Sequence, residues 1–231
     1  HAYLFSGPRG TGKTTTAKIM AKMVNCEHLI DDNPCNECPS CLSVASGSDI
    51  IEIDAASNNG VDEIRELRDK VGLVPSYGKY KVYIIDEVHM LTTAAFNALL
   101  KTLEEPPKHI IFILATTEPH KIPATILSRC QRFDFKKISI DDITTRLKYI
   151  CEQEKINIEE DAINLIAKLS DGGMRDSVSL LDQLTAYSEE KINIEDVNNV
   201  YGTIKEEQIC ELLKSLYQNK LSEVFDMISA Y

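Results

Sequence analysis

The stretch Gly7-Pro8-Arg9-Gly10-Thr11-Gly12-Lys13-Thr14 constrains the fold of this chain more than any other. It matches GxxxxGK[ST] and lies between a short apolar run, Ala2-Tyr3-Leu4-Phe5, and a segment from Thr14 to Val24. In that segment Ala17, Met20, Ala21 and Val24 recur with helical spacing. A strand that passes through glycines straight into a helix is one βα unit of a parallel sheet. The residue types imply a phosphate loop. Glycines let backbone N–H groups close around a β-phosphate, and the helix N-terminus adds the positive end of its dipole. Lys13 reaches the β- and γ-phosphates and the Thr14 hydroxyl ligates Mg²⁺, with Thr15 next to it in the nucleotide site.

Further apolar runs, Ile50–Ile53, Val82–Ile85 and Ile110–Ala115, read as buried strands, and Phe133–Phe135 as a weaker one. Helical patterns at Asp62–Val71 and Ala94–Leu103 lie between them, the second stopped by Pro106-Pro107. This alternation predicts an α/β fold, a parallel sheet with helices on both faces. The strand Val82–Ile85 delivers Asp86 and Glu87 to the sheet's C-terminal edge. Alone, two carboxylates there could simply cap the next helix. Beside a phosphate loop they gain a second use, Asp86 holding the water shell of magnesium and Glu87 polarising an attacking water. His89 follows closely and is assigned no role.

Past Lys137 no strand-like run is found. Ser139 and Asp142 fit a capping box, and helices are expected from Ile143 to Cys151, Asp161 to Ser170, Met174 to Tyr187 and Glu195 to Val200. The expected domains are 1–138, nucleotide-binding; 139–202, a small all-helical unit; and 203–231, the start of a third helical domain, with two helices between Glu206 and Ala230. The chain opens inside a strand and ends without a helix stop, so a piece of a longer protein is expected.

Cys26, Cys35, Cys38 and Cys41 are spaced C-x8-C-x2-C-x2-C. No secretion signal precedes these residues, and seven cysteines beside a nucleotide site suggest a reducing compartment, the cytoplasm. Four thiolates then point to a closed structural zinc site in the insertion 26–41, with an iron–sulfur cluster as its rival. His28 is spare, and Cys130, Cys151 and Cys210 read as small buried hydrophobes.

The phosphate loop, the four cysteines, DEVH at Asp86–His89, LLKTLEEPP at Leu99–Pro107 and ATTEPHKIPATILSRC at Ala115–Cys130 occur in that order. Together they resemble the gamma/tau family of subunits of the bacterial DNA polymerase III clamp loader, which are AAA+ ATPases. The resemblance implies an ATP hydrolase within the polymerase holoenzyme. Its partners would be other subunits in a hetero-oligomeric ring, a sliding clamp and primer–template DNA. Arg129 of the SRC motif then acts as an arginine finger in the neighbouring subunit's site, and Thr117 (or Thr116) as the sensor that orients the attacking water. Arg175, in Asp171-Gly172-Gly173-Met174-Arg175-Asp176, contacts nucleotide from a helical lid, and residues past 203 begin a collar. Lys101 is a candidate DNA phosphate contact, although a solvated helix lysine would look the same. Asn58 and Asn59 stand in the loop Ser57–Gly60, where relatives can carry basic residues. The adenine contacts of the family lie ahead of His1. Another AAA+ motor, such as a branch-migration helicase, and a non-hydrolysing structural subunit are the alternatives.

Charge enters here. With 36 acidic against 25 basic side chains, net −11, the chain is a poor free-standing nucleic-acid binder. Its 43% hydrophobic content excludes global disorder, and no run nears the roughly 18 apolar residues of a membrane span.

Overall fold

The computed structural model describes residues 1–42, 48–187, 191–202, 213–218, 220–221 and 224–225. Most of the expected helices between Glu206 and Ala230 lie outside them, as does Cys210. Two compact units result, His1–Lys137 and Ile138–Tyr231.

In the first unit five strands form one sheet: β1 (Ala2–Ser6), β2 (Ile50–Asp54), β3 (Lys81–Asp86), β4 (Ile110–Thr116) and β5 (Gln131–Asp134). Their order is β2-β3-β4-β1-β5, and every pairing is parallel. Helices α1 (Lys13–Asn25), α2 (Pro39–Leu42), α3 (Val61–Val71), α4 (Thr93–Glu104) and α5 (Ala124–Leu127) make the connections. Period-two alternation divides the strand side chains between two cores. Leu4, Tyr83, Ile85, Phe112 and Leu114 pack with Ile64 and Leu67 of α3 and Phe96 and Leu99 of α4. Phe5, Val82, Ile84, Ile111 and Ile113 meet Ala17 and Ala21 of α1 on the other face. Each large side chain buried this way contributes about 1.5–3 kcal/mol, so the three central strands carry most of the stabilisation.

The outer strand departs from expectation. Pairing with β1 begins at Gln131 and not Phe133, and all four strand residues are exposed. An edge strand with one uncovered face needs no apolar run, so its place is set by backbone bonding, which continues with Phe135 N to Ser6 O at 2.7 Å.

Asp49, 1% exposed, organises the approach to β3: its carboxylate accepts the amides of Ser76 (2.6 Å), Tyr77 (2.6 Å) and Gly78 (2.8 Å). Burial opposes its charge, but those amides and Lys81 outweigh burial and hold its carboxyl below the ordinary 3.8.

The second unit holds α6 (Ile140–Glu154), α7 (Glu160–Leu169), α8 (Met174–Tyr187) and α9 (Ile194–Tyr201). Ile143 and Leu147, Ile163 and Ile166, Leu180 and Leu184, and Val197 share one core. Ser139 caps α6 by accepting the Asp142 amide, but the Asp142 carboxylate takes the Ser139 hydroxyl hydrogen and leaves the amide. The reciprocal box stands instead at Asn193 and Asp196, opening α9.

Candidate functional site

Strand order reverses around β1, and in open parallel sheets ligands bind at the C-terminal strand ends beside such a reversal. The loop leaving β1 sits there. Gly7 has φ +151°, and a Cβ on it would lie 2.3 Å from the Phe135 carbonyl oxygen, so both conformation and space demand glycine. Gly12 precedes α1 at φ +90° with open space around it, so there the demand is conformational only. No side chain caps α1, which leaves its first amides free to meet an anion. Lys13, 6% exposed, folds back so that its Nζ donates to Gly7 O (3.0 Å) and Pro8 O (2.8 Å). Thr11 Oγ1 also donates to Pro8 O (2.8 Å). Burial lowers the Lys13 pKa from 10.5, while Glu87 and Asp86 push it back up. Arg9 and Thr15 are exposed. Thr15 lines a cleft with Lys18, Ile19, Lys22, Asn33 and Pro34, between α1 and the cysteine segment.

Thr14, one residue into α1, donates from Oγ1 to Asp86 Oδ2 at 2.6 Å, and the Glu87 amide donates to Asp86 Oδ1 at 2.9 Å. A hydroxyl and a carboxylate this close fit one small hard cation, since both are oxygen ligands and their shared hydrogen bond occupies the place an ion would take. Glu87 has a left-handed backbone (φ 45°, ψ 43°) that turns the chain sharply out of β3. Its Oε2 accepts from Thr117 Oγ1 (3.0 Å) and Thr117 N (3.3 Å). Of the two threonines, Thr117 therefore touches Glu87, while buried Thr116 stands 3.0 Å from His89 Nδ1. His89, given no role from the sequence, stands three residues after Asp86 in DEVH, and only the structure shows the contacts it makes.

Arg129, just after α5, donates to Thr125 O and to Glu104 Oε1, each at 2.7 Å. Lys101 is exposed on α4, one turn before Glu104. Arg175 is the second residue of α8, exposed, in the second unit. The Asn58 side chain is spent on local structure, its Nδ2 donating to Asp54 O, while the backbone carbonyl of Asn59 accepts from the Thr92 amide.

The ligand atoms of Cys26, Cys35, Cys38 and Cys41 all lie within 4.8 Å of one another, Cys35 and Cys41 Sγ at 3.9 Å. A tetrahedron with metal–sulfur bonds of about 2.3 Å has edges of ~3.8 Å, so the quartet fits a single ion such as zinc. A [4Fe–4S] cluster, with a different iron at each thiolate, needs wider spacing. Amides of Glu37 (3.4 Å) and Cys38 (3.3 Å) donate to Cys35 Sγ and that of Cys35 to Cys26 Sγ (3.4 Å), which favours thiolates. With no ion bound, the Cys35 amide lowers the Cys26 pKa, while burial pushes Cys41 to about 12. Burial also raises isolated Cys130 to about 11 and raises Cys151.

The profile of the family described as DNA polymerase III, delta subunit matches residues 1–139, and that of the DNA polymerase III clamp loader subunit, ATPase lid domain, matches residues 142–190. DNA polymerase III subunit tau of Bacillus subtilis (strain 168) is 58% identical over 231 residues, covering 99% of this chain and 41% of the relative. DNA polymerase III subunit tau of Escherichia coli (strain K12) is 44% identical, covering 99% and 36%. The chain thus spans about two fifths of the length of these relatives. In fold it is similar to the Holliday junction branch migration motor RuvB of Thermotoga maritima, with TM-score 0.60 and 20% identity, covering 94% of this chain and 67% of that one.

Proposed function

The chain belongs to the clamp-loader subunit family of DNA polymerase III, and from that premise we propose that it is the ATP-hydrolysing module of a gamma/tau-type subunit. In the full assembly, ATP binding opens a ring-shaped sliding clamp and grips primer–template DNA, and hydrolysis releases the clamp around the duplex. One observation carries this: Thr14 from α1, Asp86 at the end of β3, Glu87 just past it and Thr117 just past β4 meet at a single sheet edge beside the phosphate loop. A module that only held an assembly together would have no use for that meeting.

Each residue then has a task. Lys13 exchanges the carbonyls of Gly7 and Pro8 for the β- and γ-phosphates, whose charge repays its burial. Amides from Arg9 to Thr15, at the loop tip and the start of α1, surround the phosphates. Thr14 and Asp86 would hold Mg²⁺, which would supply charge neutralisation at the phosphate oxygens. Glu87 takes a proton from the attacking water while Thr117 keeps that carboxylate and the water aligned. Arg129 serves the neighbouring subunit's site, and Arg175 reads nucleotide from the lid, residues 139–202. Residues 203–231 begin the collar that joins subunits. Lys101 meets DNA phosphate without reading sequence. The four cysteines would hold zinc, which would supply the crosslink that keeps the insertion 26–41 in shape. Such a machine works in the cytoplasm, beside the polymerase. Likeness to a branch migration motor at 20% identity speaks for fold alone, whereas the SRC motif and the cysteine block favour the clamp loader.

Steady-state ATP hydrolysis by the full-length subunit in its assembly tests the proposal. Glu87→Gln should cut turnover by about 10²–10⁴, the usual worth of a positioned acid–base group. Unchanged turnover would rule out Glu87 as the base.

A further inference from the structure

His89 lies at the centre of the polar cluster beside Glu87. Its side chain is 6% exposed, and both ring nitrogens are engaged. Nδ1 stands 3.0 Å from Thr116 Oγ1 and 3.3 Å from Glu87 Oε2, while Nε2 stands 3.1 Å from Glu118 Oε2. Glu118 also pairs with Lys121 at 2.8 Å, and its amide donates to Thr116 Oγ1 at 3.0 Å. One imidazole thus links the residue after the metal carboxylate to the turn that follows β4.

The contacts on Glu87 converge on one atom. The Thr117 amide, the Thr117 hydroxyl and His89 Nδ1 all face Oε2. Groups from two different elements on one carboxylate oxygen restrict rotation about the Cγ–Cδ bond, so the other oxygen, Oε1, acquires a defined direction. The left-handed backbone of Glu87, which costs on the order of 1–3 kcal/mol, sends the turn Val88–Met90 back toward the strand ends and brings His89 to its place. A histidine needed only to fill space would require neither that backbone nor two carboxylate neighbours.

Resting on Glu87 as the base, the geometry points to His89 as a positioning residue that, together with Thr117, holds Glu87 Oε2, so that Oε1 faces the attacking water. Thr117 by itself leaves the carboxylate free to pivot about a single neighbour. Two neighbours on different elements, the turn after β3 and the end of β4, remove that freedom. Loss of one anchor displaces the base without touching the phosphate loop.

The test compares His89→Ala, His89→Asn and His89→Gln in the full-length subunit within its assembly, with kcat, KM and equilibrium nucleotide affinity as readouts. H89A should lower kcat about tenfold or more, toward the ~10² cost of a misplaced group, with nucleotide affinity unchanged within twofold. The Asn amide occupies the position of Nδ1, so H89N should recover most of the loss; the Gln amide reaches the position of Nε2, so H89Q should not. Where H89A fails to fold, the H89N and H89Q pair decides. In the E87Q background H89A should add nothing further, because His89 acts only through Glu87. Unchanged kcat in H89A beside a large loss in E87Q would overturn this inference alone, and so would recovery by Gln but not Asn. Unchanged turnover in E87Q would overturn the base assignment and this inference with it.

Discussion

Thr14 donates its hydroxyl hydrogen to Asp86 Oδ2 at 2.6 Å, joining the first turn of α1 to the end of β3 across 72 residues of chain. Asp86 has its other oxygen on the Glu87 amide, so its carboxylate plane is fixed before any ion arrives. Removing either partner should cost about 10–100-fold in Mg²⁺ affinity of the nucleotide-bound subunit, as loss of metal-orienting groups does. Magnesium titrations of nucleotide binding by calorimetry, on Thr14→Ala, Asp86→Asn and the double variant, measure this. The double variant should lose less than the sum, because the two act on one ion. Full additivity would mean that they serve separate purposes.

Arg129 is held by Glu104 at 2.7 Å, but the pair is surface-exposed, with side chains 34% and 49% accessible. Exposed pairs are worth only about 0–1 kcal/mol, so the guanidinium is cheaply released to a neighbouring phosphate. Arg129→Ala should leave nucleotide affinity nearly intact and lower hydrolysis by ~10³ or more. Equal loss of binding would sink its assignment to the neighbour's site.

Elemental analysis of the full-length subunit should find one zinc per chain. Cys26 follows α1 at its C-terminal end, and a 13-residue helix is about 20 Å long, so the metal lies far from Lys13. Chelation or Cys38→Ser should therefore lower thermal stability while nucleotide affinity stays within about threefold of the parent, below the ~1.4 kcal/mol that a tenfold change represents. Iron with inorganic sulfide in place of zinc would refute the single-ion site.

Asp49 makes an acid-side prediction. Its pKa is below 3.8 in the folded chain, where the amides of Ser76, Gly78 and Tyr77 outweigh burial. A depressed carboxyl stabilises the fold above the unfolded value and loses that contribution as pH falls through the folded value. Asp49→Asn should cost about 1.5–3 kcal/mol at pH 7, the worth of hydrogen bonds to a charged group. Urea unfolding should show the gap between parent and variant closing as pH falls below 4. A gap independent of pH would exclude the charge as its source.

Much of the site was readable because its parts are local in sequence. The loop Gly7–Thr14, the pair Asp86-Glu87 and the four cysteines each lie within a short span, and spacing alone brings each set together. His89 and Glu104 were not readable in this way. His89 acquires its neighbours Thr116 and Glu118 only where β3 and β4 end side by side, and Glu104 meets Arg129 across 25 residues and three elements. Which of Thr116 and Thr117 meets Glu87 depended on how the chain turns at the end of β4, where period-two alternation no longer says which hydroxyl faces the end of β3. The outer strand was misplaced by two residues because exposed β5 carries no burial pattern to read.

Sequence by itself determined that this chain forms a parallel α/β sheet with a glycine-rich GxxxxGKT loop at one strand end, an adjacent carboxylate pair and a close quartet of cysteines. Glycine conformation, helix dipoles and ligand chemistry act over a few residues, and they leave their mark in local spacing. Tertiary structure alone decided which atom of Glu87 is held and by what. That depends on β3 and β4 lying in register, the left-handed turn at Glu87 and the buried imidazole between two strand ends. Hydrogen bonds depend on tenths of an ångström between atoms some thirty residues apart, a scale that residue types and their spacing do not encode.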